Sequence, residues 1–175
     1  MKILIIGDSC IDKFIYGECK RICPEAPVPV FNPLNSTKND GMAKNVFNNL
    51  TSLAPDWKID FITNSNSIIK TRIVDIKTNQ MLLRIDDNDS CPKFTGLDEL
   101  EEYDAIIISD YNKGFLSEED IKYIINKYPL TFIDSKKIFG EWVNNASFIK
   151  INQPEYEKNK ENLLNYKGQL IVTLG

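Results

Sequence analysis

The chain has 175 residues, 42% of them hydrophobic and 26% charged, with a net charge of −4 and no histidine. That balance fits one globular domain large enough to bury a core, and without a basic run it leaves no footprint for nucleic acid or an anionic membrane. Lacking histidine, the chain excludes Ser-His and Cys-His catalysis and mixed Cys/His zinc sites, so acid–base work falls to carboxylates, lysines or tyrosines. Cys10, Cys19, Cys23 and Cys91 form no C-x-x-C pair and read as free thiols of a cytoplasmic protein. No apolar run approaches the length of a bilayer span. The first residues, M-K-I-L-I-I-G-D, look like a signal peptide only superficially, because Asp8 interrupts a short apolar run and no small-residue cleavage site follows.

Lys2–Ile6 is an apolar run that predicts a first strand, closed by the turn Gly7-Asp8 with Asp12 four residues on. Neither G-x-G-x-x-G nor a P-loop follows. In Phe14–Phe31, Pro24, Pro27 and Pro29 rule out a helix interior or a central strand. An extended edge ribbon remains, suited to a lid, a dimer contact or a plain surface loop. Asn39–Pro55 predicts an amphipathic helix with Ala43, Val46, Phe47 and Leu50 on one face, Asn39 or Asp40 as its cap and Pro55 as its stop. Gly41 allows a ligand close to the backbone, and Asn45 lies near the helix start.

Asp60–Thr63 is a short strand, and Ile68–Asp75 and Met81–Asp86 predict a hairpin turned by Lys77-Thr78-Asn79-Gln80. Alternation in the first hairpin strand sets Lys70 and Arg72 on a wet face. Ala105–Ile108 is apolar throughout and reads as a strand buried on both faces. It runs into Ser109-Asp110-Tyr111-Asn112-Lys113-Gly114. Ser117–Tyr128 is a capped amphipathic helix, with Lys137–Asn145 and Glu155–Tyr166 as later ones.

The same pattern of apolar run and polar tip recurs. Thr131–Ile133 meets Asp134-Ser135-Lys136, Phe148–Ile151 meets Asn152-Gln153-Pro154-Glu155, and Leu170–Val172 meets Thr173-Leu174-Gly175. In open α/β sheets ligands bind beyond the strands' C-terminal ends. Repeated polar tips therefore point to a shared crevice, although Asp and Asn in these places also serve as turn formers and helix caps.

Several blocks together carry a resemblance: Arg21-Ile22-Cys23-Pro24-Glu25-Ala26-Pro27-Val28-Pro29-Val30, Gly41-Met42-Ala43-Lys44-Asn45-Val46, Gln80 to Asp86, Ser109 to Gly114, Asp134-Ser135-Lys136 and Asn152-Gln153-Pro154-Glu155. With them the chain resembles the ribokinase-like (PfkB) carbohydrate kinases. Within these it looks most like the heptose-7-phosphate kinase domain of bifunctional heptose kinase/adenylyltransferases in lipopolysaccharide precursor synthesis.

The resemblance implies an α/β fold, with a mostly parallel central sheet flanked by helices and a small β lid in segments 14–34 and 68–86, as a single domain over residues 1–175. It implies ATP-dependent phosphoryl transfer to a sugar hydroxyl. Asp12, Arg21, Asn45, Asp110 and Lys113 would contact the sugar or its phosphate, and Asp134 and Lys136 would support the transfer zone. Asn152 and Glu155 would organise Mg2+ and nucleotide phosphates, Glu155 through water, while Thr173 and Gly175 match the start of the nucleotide-binding segment. It also implies a homodimer through the lid.

The family's Gly-Ala-Gly-Asp segment, whose Asp is the catalytic base, is absent from these residues. Relatives also place a helix and a strand where this chain has only Asn64 to Ser67. The expectation is a domain incomplete at its C-terminus and inactive alone, either a shortened piece of a longer kinase or one whose catalytic half comes from a second polypeptide. A non-catalytic sugar-phosphate-binding relative that dimerises through its lid is the alternative. An unrelated doubly wound domain, whose polar tips only cap helices, stands outside the family.

Overall fold

The computed structural model describes residues 1–174. Two compact units divide the chain: one comprises Met1–Ser9, Met42–Asn66 and the chain from Ser90 onward, the other Cys10–Gly41 and Ser67–Asp89.

The first unit holds β1 (Lys2–Gly7), with β2 (Ser9–Ile22) and β3 (Pro29–Met42) starting and ending at its border, then α1 (Ala43–Leu53) and β4 (Lys58–Thr63). β5 (Ile68–Asp75) and β6 (Met81–Asp87) belong to the second unit. The first resumes with β7 (Ala105–Asp110), α2 (Glu118–Lys127), β8 (Thr131–Ser135), β9 (Phe148–Asn152), α3 (Gln153–Asn159) and β10 (Gln169–Thr173). Its sheet runs β10-β9-β8-β7-β1-β4 with every pairing parallel. The apolar runs form these strands because their side chains are buried on alternating faces.

On one face Leu4, Ile6, Ile106, Ile108, Ile133, Ile149 and Ile151 pack with Leu116, Ile121, Ile124 and Ile125. Ile121 and Ile124 of α2 are fully buried, each contributing about 1.5–3 kcal/mol. Ser117 and Asp120 close a reciprocal capping box that fixes where α2 starts. On the other face Ile5, Ile107, Phe132 and Phe148 are in register, and the Phe132 and Phe148 rings stack at 4.4 Å. α1 lies against β1, β4 and β7. A groove of about 360 Å³ beside it is lined by Val46, Ile107, Phe132, Phe148 and Ile171.

The second unit is a sheet in the order β3-β2-β5-β6. β2 and β5 are parallel, and β5 and β6 form the antiparallel hairpin that the sequence predicts. Pro29 and Pro33 sit on β3, an edge strand where a missing N–H costs no ladder bond.

Five local expectations are corrected. The Asn39–Pro55 helix begins only at Ala43, because residues 39–42 continue β3 and Met42 takes a left-handed φ of 56° with no side-chain cap; neither Asn39 nor Asp40 caps it. What approaches Gly41 is internal: a Cβ there would meet the Asp12 carboxylate at 2.4 Å and the Cys10 thiol at 2.6 Å. Lys137–Asn145 forms no α-helix, only a 3₁₀ turn at Glu141–Val143. Side chains capture its backbone donors: Lys137 N–H goes to Ser135 Oγ at 3.1 Å and Phe139 N–H to Asn159 Oδ1 at 2.7 Å. Glu155–Tyr166 shortens to α3, which starts two residues early on an Asn152 cap and ends at Asn159. The wet face of β5 is not wet either. Lys70 is 5% exposed and bonded to Asp86 and Asp89, because the carboxylates of β6 and its end fold over it.

Candidate functional site at the strand ends

The site starts with a close approach. A Cβ on Gly7 would lie 1.8 Å from the Ser109 carbonyl oxygen, so only glycine lets the ends of β1 and β7 run this close. Asp8 is thereby carried, fully buried, beneath the loop after β7. Its Oδ2 accepts the Tyr111 N–H at 2.6 Å and the Lys113 N–H at 3.3 Å, and its Oδ1 accepts the Cys91 thiol at 3.5 Å. Asn112 and Gly114 take positive φ values of 57° and 106°, which wraps the loop around that carboxylate. Burial, followed by the charge of Asp110, raises the Asp8 pKa against the pull of the two N–H groups. Burial and Asp8 push the Cys91 thiol up to about 12, so it is an inert donor rather than a nucleophile.

Asp110 ends β7 and is 1% exposed. It accepts Lys137 Nζ at 2.9 Å on each oxygen, Ser135 Oγ at 2.5 Å and the Asn112 N–H at 3.1 Å. The end of β8 supplies the next contacts. Lys136 donates its N–H to the Asp110 carbonyl at 2.9 Å, its Nζ pairs with Glu155, and it lies 5.5 Å from the Tyr111 ring centre. Asp134 pairs with Lys150 at 2.8 Å.

At the end of β9, Asn152 and Glu155 form a reciprocal capping box that starts α3. Burial works to raise the Glu155 pKa, but the Lys136 ammonium and the Asn152 N–H hold it below the usual carboxylate range. Both Glu155 oxygens are thus engaged, Oε1 by Lys136 and Oε2 by the Asn152 N–H at 2.9 Å. Each oxygen keeps a second lone pair, so Glu155 retains acceptor capacity beyond these two contacts. Among the described residues no group of three or more His, Cys, Asp or Glu is placed to hold a metal ion.

The expected site residues thus fall into groups. Asp110, Lys113, Asp134, Lys136, Asn152 and Glu155 gather at neighbouring strand ends of one sheet. Thr173 follows on β10, with Oγ1 donating to the Ile151 carbonyl at 3.3 Å. Gly175 lies outside the described residues. Asn45 is exposed in the first turn of α1. Asp12 and Arg21 belong to the second unit, where Asp12 accepts Arg72 at 2.5 Å and Arg21 is exposed near the end of β2. Sequence reasoning passed over Asp8, Ser135 and Lys137 as site residues. Asp8 and Ser135 carry the strand-end signal, and Lys137 stands one residue beyond it.

No family model matches the chain. It is similar to the bifunctional protein HldE of Helicobacter pylori strain J99, 34% identical over 195 residues that cover 90% of this chain and 42% of that protein. It is also similar to HldE of a Nitratiruptor species, 28% identical over 90% of this chain and 41% of that protein. The chain thus spans about two fifths of the length of the curated relatives it matches. The J99 alignment, at 195 residues, is longer than the chain, so that relative carries residues inside the aligned span that this chain lacks. Among solved structures, ribokinase from Thermotoga maritima matches with a TM-score of 0.58 and 15% identity, covering 99% of this chain and 72% of that one. The tetrameric inhibited form of phosphofructokinase-2 from Escherichia coli matches at 0.57 and 15%, covering 99% and 74%. The fold is ribokinase-like: α/β with a mostly parallel central sheet. Among the described residues no helix is long and apolar enough to cross a membrane.

Proposed function

We propose that the chain is the sugar-phosphate-binding part of a PfkB-type carbohydrate kinase acting on a heptose-phosphate-like sugar with ATP and Mg2+. The observation that carries this reading is the likeness to bifunctional HldE proteins over 90% of the chain, on a ribokinase-like fold. The geometry supports it. Lys113 and Lys136 sit at adjacent strand ends, where ammonium groups can pair with phosphate. Asn45 offers an exposed amide suited to sugar hydroxyls, and the proposal extends to Asp12 and Arg21 as sugar- and phosphate-binding groups. Asp134, with Lys136, supports the transfer zone. Asn152, Glu155 and Thr173 belong to the nucleotide side, Glu155 reaching Mg2+ through water. Mg2+ neutralises nucleotide phosphates when bound; the protein's own part is to position the groups and present charge to them. The proposed role of these 175 residues is to bind the sugar phosphate rather than to turn it over.

The lid is proposed to dimerise. Met81, Leu83 and Ile85 on β6 are 54%, 56% and 42% exposed, and β6 is an unpaired sheet edge. An apolar edge of this kind is a pairing surface. Exposed Leu170 and Ile171 on β10 are proposed to be covered by further polypeptide.

Phosphorus NMR with magnesium-ATP and heptose 7-phosphate tests the reading. A sugar-phosphate resonance shifted or broadened by the protein, without turnover, supports it. Bisphosphate and ADP formed in proportion to the protein would show that another residue serves as the base and overturn the non-catalytic part. An unperturbed resonance would overturn the substrate.

A further inference from the structure

The Asp110 carboxylate points into the protein rather than outward. It is 1% exposed, and its four contacts come from Lys137 Nζ to each oxygen, Ser135 Oγ and the Asn112 N–H. A carboxylate has about four lone-pair positions, so these donors leave no ready acceptor for a sugar hydroxyl. The Lys137 side chain is itself only 9% exposed. A second carboxylate, that of Asp8, is fully buried under the same loop. Buried charge is tolerated only when paired, and Lys137 is the cation that meets Asp110 here.

What this pair holds is the loop. Asp110 accepts the Asn112 N–H, and its carbonyl accepts the Lys136 N–H. Asn112 keeps a left-handed φ of 57°, while Asp8 takes the N–H groups of Tyr111 and Lys113. The position of Lys137 is therefore transmitted to Tyr111, Lys113 and Lys136, the groups at the strand-end surface.

We propose that Lys137 is a positioning residue for the Tyr111–Gly114 loop, acting through Asp110, and that Asp110 serves the ligand as the strut between them rather than as a direct contact. This rests on the sugar-phosphate reading above. It departs from what the sequence resemblance implies, in moving Asp110 out of the contact set, and brings Lys137 into the machinery.

The test compares Lys137→Met, Asp110→Asn and the double variant Asp110→Asn/Lys137→Met with the unaltered protein. Amide exchange of Tyr111, Asn112 and Lys113 is followed by NMR without ligand, and heptose 7-phosphate is then titrated. Lys137→Met is expected to speed exchange at Tyr111 and Lys113 and to weaken binding by about ten-fold, within the range for contacting residues, while α2 amides stay protected. The double variant leaves no lone buried charge. It is expected to regain affinity to within about three-fold of the unaltered protein, and it keeps the test open if Lys137→Met does not fold.

A double variant that binds as weakly as Asp110→Asn would give Asp110 a direct contact and overturn the proposal. So would a folded Lys137→Met with unchanged loop exchange. If the unaltered protein leaves heptose 7-phosphate unbound, the substrate reading falls, and loop exchange alone decides the role of Lys137.

Discussion

The ends of β7 and β9 are written in the same way, an apolar run followed by an amide or a carboxylate, and they do different work. At β7 the carboxylate of Asp110 is 1% exposed and is met by an internal lysine. At β9, Asn152 and Glu155 spend their polar atoms on starting α3, and Glu155 shares an oxygen with the partly exposed Lys136. Depth separates the two. A charge that leaves water must find its counter-charge inside, whereas one at the rim can cap a helix and still face a ligand. The largest test of this difference is Lys137→Met, which strands Asp110. Removing one partner of a buried pair costs about 3–5 kcal/mol, read from urea unfolding. A cost near zero would erase the distinction.

The rim should respond more gently. Asn152→Ala removes the oxygen that accepts the Glu155 N–H at 2.9 Å and is expected to cost about 1 kcal/mol, the usual value of an N-cap. Ser117→Ala at the start of α2 is the control and should match it, since it too breaks a capping box. A loss at Asn152 several times larger would mean that this end also bears a buried load.

Acid distinguishes the two ends by sign. Burial and Asp110 raise the pKa of Asp8, so the folded protein binds more protons than the unfolded one just above about pH 3.9. Stability from this group is present below that value and is lost as pH rises through the folded pKa. Glu155 is the reverse. Although burial works to raise its pKa, Lys136 and the Asn152 N–H lower it. Its contribution is present above about pH 4.3 and is lost as pH falls through the folded pKa. Urea midpoints across the acid range should therefore change in opposite directions for Asp8→Asn and Glu155→Gln. Slopes of the same sign would contradict the assigned environments.

The strands and α2 were legible because runs such as Ala105–Ile108 and the Ser117 cap state their roles locally. Residues 137–145 were not. Their helical spacing is real, but Ser135 and Asn159 capture backbone N–H groups from outside the segment, and no local pattern announces that. The candidate site divides similarly. The pattern of apolar run and polar tip located Lys113, Lys136, Asn152 and Glu155 at the strand ends, yet it carried no information about internal partners. Asp8 looked like a turn residue, and Lys137 like a helix residue, until the fold placed Asp8 under the Tyr111–Gly114 loop and Lys137 against Asp110. Lys70 and Arg72 looked solvated because alternation alone does not reveal that Asp86, Asp89 and Asp12 face them.

The smallest expected effect is the sharpest control on burial. Lys150 and Asp134 form an ion pair at 2.8 Å, almost the same separation as the 2.9 Å between Lys137 and Asp110, with the same residue types. Their side chains are 44% and 26% exposed, against 9% and 1% for the inner pair. Water already solvates the outer pair, so its Coulomb gain is offset by the cost of ordering two side chains, and the net worth is about 0–1 kcal/mol. Lys150→Ala should therefore shift the urea midpoint little, and the shift should shrink with added salt, which screens exposed charges. The Lys137→Met loss should persist in the same salt. If both variants lost equal stability and both losses faded with salt, distance rather than depth would set the worth of these lysines, and the β7 end would be a rim like the other.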